Sequence, residues 1–235
     1  MKAILKKMFP KLVGWRNRLI NYAAHYRFKG KSTEQIFETI FKENHWRDSE
    51  SRSGTGSNKK NTETVIQLVN ETLSKFSVQF LLDIPCGDFH WMKHVDLQNT
   101  QYLGADIVKE LIASNQAQFS TEKIKFEKLN LLNDALPKVD LLFCRDCLVH
   151  FSFKDIFKAI NNIRDSKATY LMTTTFPNHT NHDILTGDWR PINLQAQPFN
   201  FPKPLYVASE LFNDDERFAD KALAIWRITD VPILQ

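Results

Sequence analysis

Five polar residues, Asp83, Asp106, Asn130 and the pair Arg145-Asp146, each lie at or just past the end of a short apolar run. In an open α/β sheet, ligands bind outside the carboxyl ends of the strands, next to the point where the strand order reverses. A carboxylate at the end of the second strand can accept from both hydroxyls of a ribose. Asp83 and Asp106 are 23 positions apart, close to the ~20 residues that separate a nucleotide-binding turn from its ribose-binding acid. The first turn reads Asp83-Ile84-Pro85-Cys86-Gly87-Asp88, with one glycine where a dinucleotide site has three. Pro85 has no N–H to offer, and Asp88 would repel a pyrophosphate at the start of the next element. The turn therefore suits a nucleoside without phosphates. No G-x-x-x-x-G-K-[ST] loop occurs; Gly54-Thr-Gly56-Ser is too short and lacks the lysine.

Two other constellations invite a different chemistry. Cys144-Arg-Asp-Cys147 is a C-x-x-C, and His90 and His94 are four apart. A structural zinc site would add a second pair at finger-like spacing, and none is present, so no metal site is expected. Cys144 falls within an apolar run, where cysteine packs as a small hydrophobe. A redox C-x-x-C opens a helix, whereas here Arg-Asp follows a strand end. No G-x-S-x-G elbow is present.

The elements that must position these residues follow from periodicity. Val78–Ile84, Tyr102–Ile107, Ile124–Leu129, Asp140–Cys144 and Ala168–Phe176 read as buried strands. Helices are predicted over about 33–43, where Ser32 and Gln35 form a capping-box pair, and over about 62–76, 108–119 and 152–163. Residues 48–61 (DSESRSGTGSNKKN) read as a polar loop. Ala222–Ile228, with a shorter strand near Leu205–Ala208, is expected to form a hairpin on the sheet edge. The fold class is thus α/β, a Rossmann-like sheet that is mostly parallel with an antiparallel C-terminal edge and helices on both faces. Residues 177–204 make a long connection after the fifth strand. It holds five of the nine prolines, where a compact sheet uses ~2–6 residues. It reads either as an acceptor-side insertion or as a proline-rich strap over the sheet.

Charge is unevenly placed. The chain carries 31 Lys+Arg and 27 Asp+Glu, a net +4. Residues 1–31 hold nine of the bases and no acid, so the other 22 bases face 27 acids and the body is net −5. A basic footprint across the fold is absent, and a nucleic-acid partner is not expected. Residues 1–31 read either as an amphipathic segment lying on anionic lipid or as a helix packed on the domain or a partner. Three cysteines suit a reducing compartment. No run approaches the ~20 apolar residues of a membrane span, and the N-terminus lacks a secretory pattern. The expected location is the cytoplasm, with residues 1–31 as a contact to the inner membrane face or a protein. Residues 32–235 are expected to form one domain.

LLDIPCGDF, YLGADI, KLNLLNDALP and DLLFCRDCLVHF, in that order and spacing, resemble motifs I to IV of the class I S-adenosylmethionine-dependent methyltransferases. NHWRDSESRSGTGS together with CGDFHWM and TGDWRPINL resembles a bacterial subgroup of that superfamily. The resemblance implies S-adenosyl-L-methionine as cofactor and methyl transfer as activity. It places Asp83, Pro85, Cys86, Gly87 and Asp88 along the methionine part, Asp106 with Ile107 at the ribose, and Asn130 with Leu131 at the adenine. Arg145, Asp146 and Cys147 would flank the methyl group, with Trp91 lining the pocket. An oxygen acceptor gains from a base within hydrogen-bond reach. His150, His179 and His182 are the candidates, with Asp146 and Asp183 as orienting acids. Asp183, Trp189 and Arg190 are candidate acceptor contacts, and a small-molecule or saccharide-like acceptor is expected. The alternatives are a protein or lipid-linked acceptor at a membrane surface, and a non-catalytic nucleoside-binding module.

Overall fold

The computed structural model describes residues 27–211 and 215–235. Most of the basic segment 1–31, namely residues 1–26, lies outside the described residues.

Seven strands form one sheet in the order β3-β2-β1-β4-β5-β7-β6. They are β1 (Phe80–Asp83), β2 (Gln101–Asp106), β3 (Ile124–Lys128), β4 (Leu141–Cys144), β5 (Tyr170–Thr175), β6 (Tyr206–Ser209) and β7 (Ala222–Arg227). β1 to β5 pair in parallel, and β7 runs antiparallel to both β5 and β6. The predicted hairpin therefore closes the edge, with β7 inserted beside β5. Strand order reverses at β1, which lies between β2 and β4. The carboxyl ends of those three strands form the crevice where Asp83, Asp106 and Arg145-Asp146 stand.

Among the described residues, the helices that matter to the site are α1 (Thr33–Lys42), α2 (Lys59–Lys75), α3 (Lys109–Phe119) and α4 (Phe153–Asp165). Period-two alternation splits the strand side chains between two cores. Leu82, Leu142, Cys144, Leu171 and Trp226 pack with Ile156, Ala159, Ile160 and Ile163 of α4. Leu81, Leu141, Phe143, Met172 and Ile225 pack with Val65, Leu68 and Val69 of α2 and Leu111 and Ile112 of α3. Burying one such aliphatic side chain contributes about 1.5–3 kcal/mol, so the strand ends rest on a rigid floor.

α1 begins with the predicted capping box: Gln35 N–H donates to Ser32 Oγ at 3.2 Å, and Ser32 N–H donates to Gln35 Oε1 at 2.9 Å. α2 starts three residues earlier than the apolar pattern predicts, because Asn58 caps it by accepting from Asn61 N–H at 3.0 Å. Among the described residues no helix is long and apolar enough to cross a membrane.

Candidate functional site

A cavity of about 470 Å³ opens at the carboxyl ends of β1, β2 and β4. This is the size of a small-molecule site. Its floor is the turn from Asp83 through Ile84, Pro85, Cys86 and Gly87 to Asp88. Trp91, Asp106, Ile107, Asn130, Leu131, Arg145, Asp146 and Cys147 line it as well. The structure thus brings together every position that the sequence resemblance assigns to a cofactor.

The two strand-end acids differ. Asp106 accepts from Val108 N–H on Oδ1 (3.0 Å) and from Gly87 N–H on Oδ2 (3.3 Å). The Ile107 N–H also reaches this carboxyl, which lines the cavity. Burial pushes its carboxyl up to about 6, against the pull of those amides. Asp83 is more deeply enclosed, and its Oδ2 accepts from the Tyr102 hydroxyl at 2.7 Å. Burial pushes it up to about 8, with the Asp106 charge adding to the effect and Tyr102 opposing it. Near neutral pH Asp83 is thus mainly a carboxylic acid beside a more readily ionised Asp106. Burial likewise raises the Cys86 thiol, and the hydrogen bond that the Cys147 thiol donates to Cys144, together with burial, raises Cys147. All three cysteines are buried and free. Among the described residues no cluster of three His, Cys, Asp or Glu could hold a metal.

The Asn130 side chain is partly spoken for, because its Oδ1 accepts from Leu132 N–H at 2.9 Å. Asp134 Oδ2 accepts from Asn130 N–H at 2.7 Å. α4 steadies this turn: Asn162 Nδ2 donates to the carbonyls of Leu131 and Asp134 at 2.8 and 2.9 Å.

The polar loop before α2 is part of the site, which its composition did not suggest. Arg52, Ser53, Gly54, Thr55, Gly56 and Ser57 all line the cavity. Asp88 anchors the loop, accepting from Ser51 Oγ (2.9 Å), Arg52 N–H (2.8 Å) and Ser53 Oγ (3.3 Å). In return Asp88 N–H donates to Ser53 Oγ at 3.1 Å. The lone glycine of the turn serves this closure. Gly87 has φ +56°, and a Cβ there would lie 2.2 Å from Ser53 Oγ. Trp46, just before the loop, lines the cavity too, with its ring centroid 5.0 Å from that of His150.

Arg145 and Asp146 belong to a buried charge cluster. Arg145 donates through Nε and Nη2 to Glu210 at 3.1 and 2.7 Å, and through Nη1 to the Gly56 carbonyl at 2.9 Å. Lys221 Nζ lies 2.6 Å from Asp146 Oδ2 and 3.1 Å from Glu210 Oε2. Two cations and two carboxylates tie the end of β4 to β6, β7 and the loop. Burial alone would raise the Asp146 carboxyl; Lys221 and Arg145 outweigh it and hold the group below the usual range.

The histidine and strap candidates separate. His150 lines the cavity. Its Nδ1 is 2.9 Å from the Asp188 carbonyl. A carbonyl only accepts, so Nδ1 carries the proton and Nε2 presents a lone pair. Burial pushes this imidazole down to about 4, against the Asp188 carbonyl and Asp146, so it is neutral at ordinary pH. The other candidates of residues 177–204 need correction. His179 lies off the cavity, with Nε2 3.1 Å from the Arg217 carbonyl and 3.2 Å from Asp220 Oδ1. His182 is exposed, and its carbonyl accepts from Arg190 Nε. Arg190 is only 1% exposed, with Nη1 and Nη2 donating to the carbonyls of Leu148 and Phe151 at 3.0 and 2.9 Å. Asp183 Oδ1 accepts from Phe153 N–H at 2.7 Å, at the start of α4. Arg190 and Asp183 thus satisfy backbone groups that would otherwise be stranded. Residues 177–204 behave mainly as a strap. Ile192, Leu194, Phe199 and Phe201 are buried in the α4-side core, and of the three acceptor candidates only Trp189 reaches the cavity.

No family model matches the chain, and no curated protein matches it. Solved structures do. PigF with S-adenosylhomocysteine aligns at a TM-score of 0.62 and 12% identity, covering 96% of this chain and 72% of that one. The N-methyltransferase NodS from Bradyrhizobium japonicum WM9, in complex with S-adenosyl-l-homocysteine, aligns at 0.60 and 14%, covering 82% and 97%. Human N-acetylserotonin methyltransferase in complex with S-adenosylmethionine aligns at 0.53 and 12%, covering 84% of this chain; the chain spans 60% of that longer protein. At such identities the likeness is one of fold. The chain has the Rossmann-like fold of the class I methyltransferases.

Proposed function

We propose that the chain is an S-adenosylmethionine-dependent methyltransferase acting on a small-molecule or saccharide-like acceptor. The observation that carries this reading is the placement of Asp106. Its carboxylate stands at the end of β2, beside the Gly87 turn, fixed by backbone amides and with a cavity in front of it. That is what the two hydroxyls of a ribose require. The rest of the lining fits the same group: the turn holds Pro85 and Asp88 where a phosphate would need amides and no negative charge. The fold shared with proteins crystallised with S-adenosylmethionine or S-adenosylhomocysteine supports it.

When bound, the cofactor supplies an electrophilic methyl group on a sulfonium sulfur. The chain's own residues contribute binding, alignment and exclusion of water. Asp106 would hold the ribose. Asn130 Oδ1 keeps one acceptor site for an adenine amino group, and Leu131 packs beside it. Trp91, Arg145, Asp146 and Cys147 would bound the reactive end. The loop clamped by Asp88 covers the turn and limits the entry of water. His150 Nε2 is a fixed lone pair available to an acceptor hydroxyl. The rings of Trp46 and Trp189 give a cyclic acceptor faces to stack on.

The test is to incubate the full chain with S-adenosylmethionine and a panel of sugars, phenols and amines, and to follow S-adenosylhomocysteine and the methylated product by mass spectrometry. Acceptor-dependent S-adenosylhomocysteine, lost in Asp106→Ala, is expected. Background levels with every acceptor would count against the proposal.

A further inference from the structure

The polar side chains of the strap are mostly engaged away from the cavity, with backbone carbonyls and amides or with Asp155 and Asp220, and the part it turns to the cavity is a ring. Trp189 is 42% exposed and lines the cavity. Its ring meets Phe218 at 4.8 Å and Phe176 at 6.1 Å between centroids, and all three line the cavity. A second group faces the same space: Phe37 and Phe151 at 5.8 Å, and Trp46 beside His150. His150 joins the two groups. It precedes Phe151 in the chain, its ring lies against Trp46, and its Nδ1 is bound to the carbonyl of Asp188, the residue before Trp189. Among the described residues its Nε2 makes no hydrogen bond, although Asp146, Lys221, Glu210 and Arg145 nearby are engaged with one another.

We infer that the acceptor is a flat aromatic compound carrying a ring hydroxyl, stacked between these two groups of rings with the hydroxyl donating to His150 Nε2. The inference rests on the methyltransferase reading and narrows its acceptor class. A phenolic ring has two apolar faces and one polar edge group, which matches the aromatic walls and the His150 lone pair set between them. A pyranose carries hydroxyls around its whole rim. Against these rings most of them would lose water without gaining a partner, and unpaired polar groups are what a site rejects most strongly.

The test separates this inference from the reading beneath it. With the full chain, calorimetry first measures S-adenosylhomocysteine binding. In its presence, 2-naphthol and methyl glucoside are titrated, followed by calorimetry and tryptophan fluorescence. The expected result is saturable binding and quenching by 2-naphthol and none by methyl glucoside. Trp189→Leu, at an exposed site where folding is not in question, should weaken 2-naphthol binding by ~10-fold, as loss of one aromatic contact does. His150→Phe should weaken it by a similar factor, while His150→Gln, whose amide oxygen can accept, should retain most of it. Affinity for S-adenosylhomocysteine should be unchanged in all three. Binding of S-adenosylhomocysteine without 2-naphthol, tighter binding of methyl glucoside, or indifference of 2-naphthol to both Trp189→Leu and His150→Phe would overturn the inference and leave the cofactor reading standing. Failure of S-adenosylhomocysteine to bind would remove the reading itself.

Discussion

Asp83 and Asp106 are two carboxyls at adjacent strand ends, and burial gives them different protonation. Asp106, pushed up to about 6, must lose its proton before it can accept from both ribose hydroxyls. Affinity for S-adenosylhomocysteine should therefore rise with pH through about 6, and a calorimetric pH series should show it. Asp106→Asn keeps the shape but removes the charge. Hydrogen bonds to a charged group are worth about 1.5–3 kcal/mol, so the loss should be tenfold or more. Asp83 predicts a stability effect of unusual sign. Its folded carboxyl sits at about 8, above the 3.8 of an unperturbed aspartate. From about pH 4 upward the unfolded chain has released a proton that the folded chain keeps, so stability falls as pH rises through about 8. Thermal melts should show the midpoint dropping over that window, and Asp83→Asn, which can still accept from Tyr102, should flatten the profile. A wild-type midpoint that rises with pH through the same range would contradict the assignment. Strand-end placement made both acids legible in the sequence. For Arg190 and Asp183 the sequence suggests acceptor contacts, because a polar side chain near a site and one that satisfies a stranded backbone group look alike until burial is known.

Among the elements, the loop ahead of α2 changes the picture most. Its Ser/Gly composition is that of a surface loop, and the contacts that enclose it come from far along the chain, from Asp88 and Arg145. No local pattern encodes such contacts, whereas the capping box of α1 and the alternation of the strands are local and were readable. The structure predicts that Gly87→Ala dislodges the loop, because the new Cβ would meet Ser53 Oγ. The second change Ser53→Gly should recover part of the loss. It should not recover the ~1–2 kcal/mol that a non-glycine residue costs in the left-handed region. Tryptic cleavage after Arg52 reads loop opening directly. It should be faster in Gly87→Ala than in the wild type and slower again in the double variant. Equal rates in all three would show that Ser53 and Gly87 are not coupled. For the strap after β5 the sequence allows two readings. Its buried Ile192, Leu194 and Phe199 favour packing over ligand contact along most of its length.

Across the whole molecule, the sheet supplies a crevice where strand order reverses, and three separate coverings close it: α1 with Trp46, the Asp88-clamped loop, and the strap with Trp189. The cluster of Arg145, Glu210, Lys221 and Asp146 locks the loop and the C-terminal edge strands to β4. Glu210→Gln leaves Arg145 and Lys221 with one carboxylate fewer in a buried setting. Breaking such a pair costs about 3–5 kcal/mol, which urea denaturation should register as a lower midpoint with an unchanged slope. The strands and the fold class were accessible from the sequence because hydrophobic runs and their terminal acids repeat along the chain, whereas the strand order came only with the structure. The aromatic walls of the cavity were not, because Phe37, Phe151, Phe176 and Phe218 are indistinguishable from core until the elements are assembled. The central claim is that this crevice binds the S-adenosyl nucleoside through Asp106. Isothermal titration of S-adenosylhomocysteine into the full chain and into Asp106→Asn tests it most directly. One site per chain, weakened at least tenfold by the substitution, is the predicted result; no heat at millimolar ligand, or equal affinity in the two proteins, would contradict it.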